Sequence, residues 1–295
     1  MDKNFILRTV SAVFYVLIIA FCTTPLGEFL LKDVLPQVRQ QYLFYGLMTF
    51  FTAIGLYECI RIMKFDNGIY KWLVFPVAAI IYYRFTNRFF HHDFLNGYSI
   101  TNYISDILAL GLVAIAVVTL FKYSRELYFE NGKLIFTVVY VTLPFAFSLG
   151  LPQFSSSDSS QPFSLDIFML FVLIWSSDTF AYLTGKLLGK HKMAPRISPK
   201  KTWEGFAGGV LLTLVLGFFV ERYFPDLRGN WMLVGVLVAV FAPLGDLVES
   251  QLKRSFAVKD SGNIIPGHGG VLDRLDSFIL CVPAVYLYFI IEKLI

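Results

Sequence analysis

Charge is scarce in this sequence. Only 16% of its 295 residues are charged, where an ordinary soluble domain carries roughly a quarter. The hydrophobic share is 56% and the mean hydropathy is +0.64. A disordered chain, a nucleic-acid-binding tail and an ordinary cytosolic globule are all excluded by that balance. Cysteine is scarcer still. Cys22, Cys59 and Cys281 are odd in number and each lies in an apolar stretch without metal-ligand spacing. That rules out a disulfide framework and reads as small buried side chains. There is no P-loop and no Gly-x-Ser-x-Gly, so ATPase and serine-hydrolase chemistry have no support. Nor is there an internal repeat of the kind many transporters show.

What the sequence does have is long apolar runs, spread along the whole chain. A bilayer core takes about 20 apolar residues as helix. Nine blocks approach that length: roughly 9–27, 40–60, 68–84, 103–121, 134–151, 166–185, 204–222, 231–248 and 276–292. The pattern predicts an all-α, polytopic integral membrane protein with about nine transmembrane helices, not a barrel of short alternating strands. The first block follows Met1–Arg8 in the manner of a signal peptide, but it runs uncharged to Gly27, which suits a membrane helix better. The third is weakest, with only twelve residues between Lys71 and Arg84, and a re-entrant or tilted segment would also fit there. Placing the N-terminus in the cytoplasm puts eighteen of the 25 basic residues in inner loops and seven outside, as the positive-inside rule requires.

The two ends of the chain differ. Residues 1–150 read as transmembrane helices without a recognisable site. Residues 151–295 read as the catalytic region, entered through a Ser-rich connector at 152–164 that has no Lys or Arg. Asp178 lies near the inner end of the sixth block, where a buried carboxylate ordinarily faces a cavity, a metal or a cation. The inner loop Pro195–Gly205 is held out of helix by two prolines. It leads into a helix starting near Thr202, and its Ser198, Lys200, Lys201 and Thr202 suit a helix-N-terminal anion site. An ordinary basic loop touching anionic lipid is the simpler alternative. In Gly245–Arg254, Asp246, Glu249 or Ser250, and Lys253 share one helix face. That face could hold a divalent ion beside a phosphate, or could simply neutralise itself.

The last inner loop, Val258–Ser277, is the most informative. Its glycines, Gly262, Gly267, Gly269 and Gly270, let backbone N–H groups converge on an anion. Asp273 and Asp276, at i and i+3, offer oxygen ligands that suit Mg²⁺. His268 stands near both, beside Lys259 and Arg274. An intramembrane Asp, a basic loop and two sets of paired carboxylates at one face amount to equipment for metal-assisted phosphoryl or nucleotidyl transfer.

Ser250–Arg254, Lys259–Gly262, Pro266–Gly270 and Asp273–Asp276 together resemble the signature of the phosphatidate cytidylyltransferases, or CDP-diacylglycerol synthases. Asp178–Tyr182 and Ser198–Gly205 are similar to that family's other two characteristic segments. The resemblance covers about residues 170–280. It implies that CTP and phosphatidate react to give CDP-diacylglycerol and pyrophosphate, with Mg²⁺ required and room for a second metal or a monovalent cation. It implies catalytic roles for Asp178, Lys259, His268 and Arg274, and metal ligation by Asp246, Asp273, Asp276 and Glu249. Substrate binding falls to Ser198, Lys200, Lys201, Thr202, Lys253, Arg254, Gly267, Gly269 and Gly270. The expected setting is a bacterial inner membrane with the site facing the cytoplasm. The expected partners are the lipid bilayer and a second copy of the chain, with no nucleic acid. A CTP-dependent polyprenol or dolichol kinase and an ion-coupled transporter are the alternatives.

Overall fold

A computed structural model describes residues 3–90, 100–155, 165–265 and 269–295. Helix dominates it. We number the long helices α1 (Lys3–Thr23), α2 (Gln40–Met63), α3 (Gly68–Phe90), α4 (Ile100–Lys122), α5 (Glu130–Ser148), α6 (Asp166–Leu188), α7 (Trp203–Tyr223), α8 (Trp231–Ser255) and α9 (Leu272–Leu294). Each expected apolar block lies on one of them. Among the described residues seven, α2 and α4 to α9, are long and apolar enough to cross a membrane. The expected count of nine is therefore not reached by that measure. In α1 the apolar part, Thr9–Thr23, is shorter, and α3 is the block bounded closely by Lys71 and Arg84. Large apolar side chains face outwards, among them Leu187, Leu211 and Trp72 at 66–79% exposure. That is the arrangement a lipid environment accepts and water does not.

Helix α5 is not regular. Its middle, Val138–Thr142, is a π-turn, followed by α-helix from Leu143 with Pro144 in the first turn. Proline lacks an N–H and its ring presses on the carbonyl four residues back, so a widened turn just before it relieves both faults. The connector seen in sequence at 152–164 is described only to residue 155, as the end of a short helix Leu151–Ser155; the remainder lies outside the described residues.

The C-terminal helices pack in sequence order, α6 on α7, α7 on α8 and α8 on α9. Close approach needs small residues. A Cβ on Gly245 would strike the backbone of Asp276 and Ser277, so only glycine lets α8 lie this near the start of α9. Gly205 and Gly209 bring α7 against Ala181 and Gly185 of α6 within the chain; nothing in that packing calls for a second copy. An aromatic spine ties the two halves of the chain together. Phe278 of α9 stacks on Phe171 of α6 at 4.7 Å and meets Phe145 of α5 at 5.8 Å, and Phe145 in turn contacts Phe51 of α2. Tyr286 of α9 donates to the buried Asp106 of α4 at 2.9 Å. The N-terminal helices are thus part of the scaffold that holds α9.

Candidate active site

Between α6 and α7 the chain is out of helix, as expected, and forms a hairpin: β1 (Lys192–Ala194) pairs antiparallel with β2 (Ser198–Thr202). Pro195 and Pro199 exclude helix; Pro195 falls in the turn between the strands, and β2, with a single strand partner, tolerates Pro199. Glu204 clamps the entrance. Its carboxylate accepts from the backbone N–H groups of Lys190 and His191 and lies 2.6 Å from His191 Nδ1. Helix α7 starts as expected, with Thr202 Oγ1 accepting from Gly205 N at 3.2 Å as its N-cap.

The hairpin covers a cavity of about 740 Å³ at the end of the bundle where α6 and α8 finish and α7 and α9 begin. Among the described residues its wall carries six carboxylates, Asp178, Asp246, Glu249, Asp260, Asp273 and Asp276. Six cations face them: Lys186, Lys192, Lys200, Lys201, Lys253 and Arg274. Ser198, Thr202 and Ser277 add hydroxyls. Such a chamber is close to neutral while both signs are held at fixed places, which suits a substrate with several phosphates accompanied by a cation.

The charges interlock. Lys201 Nζ lies 2.8 Å from Asp246 Oδ2 and donates to the carbonyl of Pro243 at 2.7 Å. Ser250 Oγ donates to the other oxygen of Asp246 at 3.1 Å. Lys253 Nζ sits between Glu249 Oε2, at 2.7 Å, and Asp273 Oδ1, at 2.5 Å. Asp273 Oδ2 accepts from Ser261 N, Ser261 Oγ and Gly270 N at 2.9–3.0 Å. Asp276 accepts from Ser277 N at 2.6 Å.

Of the residues singled out in sequence, Asp178, Ser198, Lys200, Lys201, Thr202, Asp246, Glu249, Lys253, Asp273, Arg274 and Asp276 are brought to this cavity. Arg254 and Lys259 are exposed and stand outside its described wall. Gly269, at φ +92°, closes a small bridge with Ile265, and Gly270 spends its N–H on Asp273. Gly267 and His268 lie outside the described residues. Sequence reasoning passed over Glu58 of α2, fully buried at 0% exposure. It accepts from Val271 N and Leu272 N at 3.0 and 2.8 Å and from Ser261 Oγ at 3.2 Å. The signal was available: an acid inside an apolar block is costly wherever it falls.

The donor chemistry bears on a cation. Among the described residues no three of His, Cys, Asp and Glu form a ready metal cage. Mg²⁺ does not need one, since it is commonly held by one or two carboxylates with water and phosphate completing the shell. Glu249 Oε1 is buried without a hydrogen-bond partner, and Asp246 and Asp276 line the same cavity. The oxygen-only donor set fits such an ion.

Fold and cavity together define a polytopic integral membrane protein with an ion-paired chamber at one end of its bundle. The chain belongs to the cytidylyltransferase family, whose sequence model matches residues 7–291. It is 53% identical over 127 residues to the phosphatidate cytidylyltransferase of Bacillus subtilis (strain 168), covering 42% of this chain and 46% of that protein. It is 40% identical over 188 residues to the phosphatidate cytidylyltransferase of Staphylococcus aureus (strain COL), covering 61% of this chain and 66% of that one. The match with the protein of the same name from Staphylococcus haemolyticus is 39% over 189 residues, 62% of this chain and 69% of the relative. The chain thus spans about half to two thirds of the length of these relatives.

Proposed function

We propose that this protein transfers the cytidylyl group of CTP to phosphatidate, giving CDP-diacylglycerol and pyrophosphate. The observation that carries the reading is the cavity wall, where six carboxylates and six cations line one space of about 740 Å³. Family membership supports it, as do the names of the relatives.

The phosphate of phosphatidate is already an anionic nucleophile. One of its oxygens forms a bond to the α-phosphorus of CTP while the bond from that phosphorus to the bridging oxygen of the β-phosphate breaks. The electron pair leaves with pyrophosphate, so no enzyme nucleophile and no strong base is required. The protein's work is positioning and charge. Lys200 and Lys201 on the hairpin, with Arg274 at the start of α9, would draw phosphate oxygens into the chamber. A substrate phosphate would compete with Asp246 for Lys201. Asp246 and Asp276, with the unpartnered oxygen of Glu249, would hold Mg²⁺, and Asp178 lines the same cavity. When bound, the ion supplies positive charge against the triphosphate. Asp273, whose oxygens are engaged by Lys253, Ser261 and Gly270, would reach a metal only by releasing a partner.

The placement we propose is a bacterial inner membrane, N-terminus and chamber on the cytoplasmic side, where CTP is found. The charge bias of the loops supports it. The test uses purified protein in detergent with phosphatidate, Mg²⁺ and CTP labelled either in cytidine or at the γ-phosphate. Cytidine label in the lipid fraction is the expected result. Transfer of γ-label alone would identify a lipid kinase instead.

A further inference from the structure

We propose that Glu58 is a positioning residue for the cavity: from α2 its carboxylate caps the N-terminus of α9 and sets where Asp273 and Asp276 stand. Its consequence for catalysis rests on the function proposed above.

Helix α9 begins without a cap of its own. Val271, the residue before it, has helical φ and ψ, and its side chain offers no acceptor. The first N–H groups of any helix lack intrahelical partners, and a negative charge there is favoured by the dipole. Glu58 supplies both needs from another helix. Oε1 takes Val271 N and Oε2 takes Leu272 N. A carboxylate at 0% exposure is expensive unless its oxygens are occupied, and these are.

The glycines nearby support the same assignment independently. A Cβ on Gly270 would lie 2.6 Å from both oxygens of Glu58, and a Cβ on Gly262 would collide with its carboxylate. The convergent N–H groups that the sequence suggests for a phosphate therefore enclose two internal anions: Glu58 holds those of Val271 and Leu272, and Asp273 holds that of Gly270. Ser261 joins the two acids. Its hydroxyl is 3.2 Å from Glu58 and 2.9 Å from Asp273. Asp273 then reaches Lys253 and, through it, Glu249 on the cavity wall. The chain of contacts runs from the N-terminal half of the protein into the chamber.

Glu58→Gln tests this. The amide keeps the shape but offers one acceptor oxygen in place of two, so it leaves an N–H of Val271 or Leu272 facing another donor. The expected result is faster hydrogen exchange at residues 269–273, with exchange in α4 unchanged. The turnover number should fall by about 10²-fold with KM for CTP little altered, as a misplaced reacting centre requires. Gly262→Ala, which pushes the carboxylate aside, should reproduce the loss, and adding Glu58→Asp should restore part of it. Should Glu58→Gln not be recovered from the membrane, the glycine variants carry the test. Unchanged exchange at 269–273, or acceleration spread evenly through the bundle, would overturn the assignment. The exchange result stands whether or not the wild-type protein uses CTP. A wild type that transfers no cytidine would therefore sink the proposed function and not this one.

Discussion

Lys201 of the hairpin and Asp246 of α8 face each other at 2.8 Å, one a candidate phosphate ligand and the other a candidate metal ligand. Each neutralises the other. Binding of CTP with its cation would give both of them new partners of opposite sign, so the pair costs little to open.

Lys201→Ala should therefore reduce kcat/KM for CTP by about 10²-fold, the scale on which removal of one preorganised charge is felt. Lys201→Arg keeps the charge and should recover part of the loss. Steady-state kinetics in detergent measure both, and equal values for Lys201→Ala and wild type would remove the lysine from the site.

Thr202 caps α7 where the hairpin ends. Thr202→Ala should destabilise the protein by about 1 kcal/mol, and Thr202→Ser should not. A thermal melt of the detergent-solubilised protein reads the difference. Identical melting temperatures for all three would mean that the cap bond contributes nothing.

The orientation can be read chemically. In a variant without the three native cysteines, Ser198→Cys on the hairpin and Asp226→Cys between α7 and α8 lie at opposite ends of α7. An impermeant thiol reagent applied to intact cells should label position 226 and spare 198. The reverse pattern would invert the topology.

Chelation with EDTA should abolish transfer, and added Mg²⁺ should restore it. Asp276→Asn should move the half-saturating Mg²⁺ concentration upwards, because a carboxylate oxygen is a far better ligand than an amide for a hard cation. Initial rates across a Mg²⁺ series show this. A curve superimposable on wild type would exclude Asp276 as a ligand.

Much of this fold is legible in the sequence because lipid imposes a simple rule: apolar runs of sufficient length become helices. All nine blocks fall on helices, although among the described residues only seven of those helices are long and apolar enough to cross a membrane, and α7 starts as expected just after its cap at Thr202. The cavity was legible too, since ionisable residues such as Asp178 and Asp246 stand out against an apolar background. Glu58 stands out equally, but its partners are backbone N–H groups more than 200 residues away, and no spacing rule links them. The hairpin escaped notice because prolines announce where helix ends without saying what replaces it. The π-turn in α5 follows from Pro144, whose effect on the preceding turn is visible only once the helix is built. Nor did the glycines reveal what they surround. Backbone amides that could cradle a phosphate serve equally well for a carboxylate of the same chain.

If the ion-paired chamber performs cytidylyl transfer, Asp246→Asn must impair it. Asn is nearly isosteric, so the variant should insert and remain monodisperse, while the negative charge beside Lys201 is gone. The control is Asp226→Asn, exposed and outside the chamber. With cytidine-labelled CTP and phosphatidate, Asp226→Asn should label lipid at the wild-type rate and Asp246→Asn should be slower by about 10²–10³-fold. A well-folded Asp246→Asn protein that labels lipid as fast as wild type would take the chamber out of the reaction.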